Sequence, residues 1–63
     1  MFSENLKRIR KEKGFTQQEL AEAIGIHTSI ISWYETGKST PRMFLLECLC
    51  GALGVTATEL LGF

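Results

Sequence analysis

A chain of 63 residues and 7.1 kDa holds one domain at most, which excludes a two-domain enzyme. With 44% hydrophobic and 22% charged residues it matches ordinary foldable chains, so the disordered, collagen-like and membrane-spanning classes lose support. The formal net charge of zero argues against a polyanionic partner, but residues 1–14 carry five basic and two acidic side chains and residues 15–63 carry two and five, so a basic N-terminal segment is hidden in the total. A solvated helix face also accounts for that segment.

No stretch alternates apolar and polar residues over the length of a strand, whereas five stretches carry helical spacing with start and stop signals. The first helix is expected after Ser3 as N-cap, with Leu6 and Ile9 inward and a stop at Gly14. In the second, Thr16 and Glu19 form a Thr-x-x-Glu capping box, Leu20, Ala21 and Ile24 make the inward stripe, and Gly25 ends the run. The third is expected from about Thr28 to Glu35, stopping at Thr36-Gly37. So short a connection between the second and third helices sets them at a sharp angle, the geometry of a helix-turn-helix spanning about residues 17–35.

A fourth helix is expected to start with Thr40 as N-cap and Pro41 at its first position, and to run to Leu53 before Gly54. The fifth repeats the capping box with Thr56 and Glu59. Cys48 and Cys50 share the fourth helix about 200° apart, so they cannot chelate one metal or form an intrachain disulfide without unwinding it, and they read as apolar filler. No signal peptide or spanning segment precedes them, and the expectation is a cytoplasmic chain.

Several fragments occur in order: Leu6-x-x-Ile9-Arg10, Gly14-Phe15-Thr16-Gln17-Gln18-Glu19-Leu20-Ala21, Ile24-Gly25-Ile26, Ile31-Ser32-x-Tyr34-Glu35-x-Gly37, Pro41 and Ala52-Leu53-Gly54-Val55. Each is weak alone. Together they resemble the lambda-repressor-like, Cro/C1-type helix-turn-helix regulators of bacteria and phages, nearly end to end. The resemblance implies an all-α, five-helix domain over residues 1–63 that binds double-stranded DNA as a transcriptional regulator.

It also implies roles, each with a plainer counterpart. Arg10 and Glu35 match a partly buried ion pair joining the first helix to the recognition helix; otherwise they are unrelated surface charges. Gln17 matches a phosphate-binding position; otherwise it is a surface glutamine. His27, Thr28, Ser29, Ser32 and Trp33 project outward from the third helix as groove candidates, beside Ile31 and Tyr34 at core positions. The hydroxyls of Thr28, Ser29 and Ser32 lack the bidentate geometry of Arg on guanine, so they specify no base. Trp33 departs from a usually polar or basic position: it packs on a thymine methyl or sugar, or it covers the helix end. His27 stands where Ser or Thr is the expected N-cap: it touches a phosphate, or it replaces the cap poorly. Lys38 and Arg42 bracket a loop that contacts phosphates in the family, or they are solvated charges.

The fourth helix carries more apolar surface than one core face needs. Met43, Leu46, Leu49, Cys50 and Leu53 form an inward stripe, leaving Phe44, Leu45 and Cys48. With Leu61 and Phe63, these three form a candidate self-complementary patch for a homodimer, or else part of a helix buried all round and a chain end that caps the core. No metal ligand cluster, phosphate-binding glycine loop or catalytic constellation appears, so no cofactor, small-molecule substrate or membrane partner is expected and an enzyme is disfavoured. The leading expectation is a repressor occupying a palindromic operator as a dimer. The alternative is a protein-interaction module, an antitoxin or adaptor, on the same fold.

Overall fold

A computed structural model describes residues 1–63 as five helices: α1 (Phe2–Glu12), α2 (Gln17–Ile24), α3 (Thr28–Thr36), α4 (Met43–Leu53) and α5 (Ala57–Leu61). Each helix supplies one fully buried branched aliphatic side chain, Leu6, Leu20, Ile31, Leu49 and Leu60 in chain order. Every such side chain contributes about 1.5–3 kcal/mol of transfer free energy, so the core is one cluster shared by all five elements. α3 packs on α1 and α2, α4 on α2, and α5 closes against α1 and α4.

Both capping boxes form. Thr16 Oγ1 accepts the Glu19 N–H at 3.0 Å while Glu19 Oε1 accepts the Thr16 N–H at 2.8 Å. Thr56 and Glu59 make the same exchange at 3.1 Å in both directions. Two helix starts differ from the sequence reading. α1 begins at Phe2 with Met1 as its N-cap residue, so Ser3 lies inside the helix. The ring of Phe2 meets Tyr34 edge-on, with centroids 6.4 Å apart, and packs against the core. Burying that ring outweighs the roughly 1 kcal/mol a serine cap offers.

α4 begins at Met43, with Arg42 rather than Thr40 in the N-cap place and Pro41 outside the helix. On α4 no side chain before Leu45 packs into the core, so packing does not reward an earlier start. Met43, expected inward, is exposed for the same reason: it sits on the first turn of α4, beyond the reach of the core that Leu46, Leu49 and Leu53 enter. Leu45 and Leu61 were expected on an outer face, yet both are partly buried against the core.

Candidate nucleic-acid interface

Three residues, 25–27, separate α2 from α3. Gly25 turns the chain in the left-handed region at φ 78°, a conformation that a residue with a Cβ adopts only under strain. The Ile26 N–H then donates back to the Ala21 carbonyl at 3.0 Å, closing the end of α2. α3 buries Ile31 and Tyr34, and its opposite side is uncovered: His27 and Trp33 are exposed and Thr28, Ser29 and Ser32 half-buried. Trp33 keeps 46% of its surface accessible.

His27 occupies the N-cap of α3, and its Nδ1 accepts the Ser29 N–H at 3.2 Å and lies 2.9 Å from Ser29 Oγ. A ring nitrogen used as an acceptor carries no proton, so the neutral ring holds its hydrogen on Nε2. The imidazole therefore does a hydroxyl's capping work, one of the two roles expected for it at this position.

At the other end of α3, four groups from separate parts of the chain converge. Arg10 Nε donates to Glu35 Oε2 at 2.6 Å and Nη2 to Oε1 at 3.1 Å, a two-pronged pair joining α1 to α3. The two side chains are 8% and 2% exposed, so little water screens them. Arg10 Nη1 donates to the Phe15 carbonyl at 2.7 Å, and Gln17 Nε2 donates to Glu35 Oε1 at 3.0 Å. Every prong of the guanidinium is thus used within the knot, and no buried side-chain polar atom lacks a partner. The Gln17 bond has no sequence signal, because a half-buried glutamine at a helix start reads the same whether it faces solvent or a carboxylate.

Lys38 and Arg42 are exposed at either end of the loop after α3, and neither forms an ion pair. The Lys38 and Ser39 N–H groups both donate to the Trp33 carbonyl, at 2.9 and 3.3 Å, which folds the start of this loop back under the end of α3. On α1, Arg8 is spent on an exposed pair with Glu12 at 3.3 Å, while Lys7 and Lys11 are unpaired. A cleft of about 250 Å³ between α1 and the α5 end is lined by Arg8, Glu12, Lys13 and Glu59, of mixed charge, and holds none of the groove candidates.

On the remaining surface, Phe44 and Phe63 are 72% and 93% exposed and Met43 is 69% exposed. Cys48 is half-buried and carries a free thiol. Of the five residues expected to form a dimer patch, Leu45 and Leu61 are partly buried against the core.

Comparison with known proteins agrees with this geometry. A helix-turn-helix family model matches residues 6–60. The chain is 40% identical over 60 residues to the HTH-type transcriptional activator BcrR of Enterococcus faecalis, covering 95% of this chain and 29% of that protein. It is 41% identical over 61 residues to the SPbeta prophage-derived HTH-type transcriptional regulator YonR of Bacillus subtilis, covering 97% of this chain and 56% of YonR. The chain thus spans between 29% and 56% of the length of these two relatives. Among solved structures, the master regulator for biofilm formation SinR in complex with DNA superposes with a TM-score of 0.90 at 37% identity, over 97% of this chain and 98% of that one.

Proposed function

The chain belongs to the Cro/C1-type helix-turn-helix family, a fold of DNA-binding regulators and not an enzyme family, and on that premise we propose that it is a sequence-specific, double-stranded DNA-binding transcriptional regulator. Residues 1–63 act as one such domain, with the helix-turn-helix at about 17–35. α3 enters the major groove and presents Thr28, Ser29, Ser32 and Trp33 to base edges and sugars. His27, already committed through Nδ1, donates from Nε2 to a backbone acceptor. Gln17, Lys38 and Arg42 hold phosphates on either side of the groove and set register. The observation that carries this reading is the uncovered outer side of α3, held at its C-terminal end by the Arg10–Glu35 pair.

The exposed Phe44 and Phe63, with Met43, support a homodimer whose margin includes Leu45, Cys48 and Leu61. Two copies related by a two-fold axis read a palindrome with half-sites about 34 Å apart, and occupancy of such an operator represses by excluding polymerase. A DNA-binding role places the chain in the cytoplasm; no helix is long and apolar enough to cross a membrane.

Selection of bound duplexes from a random pool tests the reading. The expected result is one enriched palindromic motif with half-site centres about 10 base pairs apart. Recovery of no motif, with a co-purifying protein instead, would favour the antitoxin or adaptor reading, which draws on the zero net charge and the exposed phenylalanines.

A further inference from the structure

The Arg10–Glu35 pair does more than tie α1 to α3, because its carboxylate carries a third bond. Glu35 Oε1 accepts from Gln17 Nε2 at 3.0 Å as well as from Arg10 Nη2 at 3.1 Å. A carboxylate accepts and cannot donate, so the Gln17 carboxamide must turn its nitrogen toward Glu35. One amide N–H is consumed there, and the second is left with a fixed direction. Glu35 itself has no freedom, being 2% exposed and gripped on both oxygens.

We propose that Glu35, backed by Arg10, is a positioning residue for DNA: it orients the Gln17 carboxamide so that the remaining N–H meets a backbone phosphate without first losing side-chain freedom. This rests on the phosphate role assigned to Gln17 above and adds the reason that contact is strong. A glutamine free to rotate would have to be immobilised at binding, whereas this one is already fixed in the free protein. The ion pair and a DNA contact are then coupled, and once the pair is removed the Gln17 side chain adds no further increment of affinity. Because Gln17 is uncharged, the increment is independent of counterion release.

The test uses fluorescence anisotropy with a mixed-sequence 20-base-pair duplex at low salt, since phosphate contacts act on any sequence. Gln17→Ala is expected to weaken binding about 2- to 10-fold with an unchanged salt slope, the range of one hydrogen bond. Glu35→Ala alone strands a buried Arg10 and is a poor test. Arg10→Met with Glu35→Leu replaces the pair by apolar side chains, a change that commonly preserves folding. This double variant, checked for a cooperative melt, also loses the tie between α1 and α3 and is expected to bind at least as weakly as Gln17→Ala, and adding Gln17→Ala to it is expected to change nothing further.

A nitrogen-15 spectrum of the free protein supplies an independent readout. One proton of the Gln17 amide is expected downfield in the parent and at the ordinary position in the double variant. Wild-type affinity in Gln17→Ala would overturn the phosphate contact itself, and this inference with it. Weakened binding in Gln17→Ala but wild-type affinity in the folded double variant, or losses that multiply in the triple variant, would overturn the positioning role alone.

Discussion

The two sides of this molecule are held by opposite kinds of force. Where α1, α2 and α3 meet, a buried guanidinium, a carboxylate, a carbonyl and a carboxamide are locked by bonds of 2.6–3.1 Å. Where α4 and α5 lie, the packing is aliphatic, and what reaches the surface is Met43, Phe44 and Phe63. Polar bonds are directional and fix an orientation, which a surface that must match a groove requires. Apolar contact is non-directional and rewards any covering of the right shape. The difference teaches that α3 is aimed by chemistry, while the α4–α5 side is only supplied with adhesion.

Substitutions can break this contrast. The largest effect is expected at the polar knot: Glu35→Ala leaves the Arg10 charge buried and unpaired and should cost about 3–5 kcal/mol. For a domain this small that lowers the melting temperature by more than about 12 °C, read by circular dichroism. A melt unchanged by this substitution would mean the seam is not what holds α3. On the apolar side, Leu49→Ala removes a fully buried side chain from the centre of α4 and should cost about 2–5 kcal/mol in the same assay, through a cavity instead of a stranded charge.

Smaller effects sharpen the comparison. Thr16→Ala removes the hydroxyl that caps α2 and should cost about 1 kcal/mol. At the surface, Phe44→Ser should change the melt by less than about 0.5 kcal/mol but reduce self-association in sedimentation. A self-association constant untouched by that change would remove the α4 face from the interface.

The last prediction concerns acid. The Thr56 N–H and hydroxyl, with a lesser contribution from Lys13, hold the Glu59 carboxyl below its ordinary value. A lowered folded value makes the ionised form part of the α5 cap, present above the ordinary carboxylate range and lost as pH falls through the lowered value. Carbon-13 titration of Glu59 should show that shift, and Thr56→Ala should reduce it only in part, since the backbone donor remains.

What could be read from the residues follows the same division. Local signals were legible because they act within one turn: both Thr-x-x-Glu boxes and the glycine stops at Gly25 and Gly54 appear where expected. The starts of α1 and α4 were not, because Phe2 against Tyr34 and the reach of the core at Leu45 are tertiary facts that override Ser3, Thr40 and Pro41. Within the candidate site, the outward set on α3 followed from helical spacing and family resemblance. The Gln17–Glu35 bond did not, since a side chain with both donor and acceptor atoms does not declare its partner, whereas the cap at His27 was one of the two readings its position offered. Helical spacing places Leu45 and Leu61 on an outer face, whereas both pack partly against the core, a tertiary contact that spacing within one helix does not carry.

The most direct test of the central claim, that the aimed side reads DNA and the adhesive side does not, is a nitrogen-15 chemical-shift titration with the selected duplex. The account predicts that the largest perturbations fall on Gln17, on residues 27–38 and on the indole N–H of Trp33, with Phe44 and Phe63 unmoved beyond any effect of dimerisation. Perturbations concentrated on α4 and α5, with α3 unmoved at saturation, would contradict it.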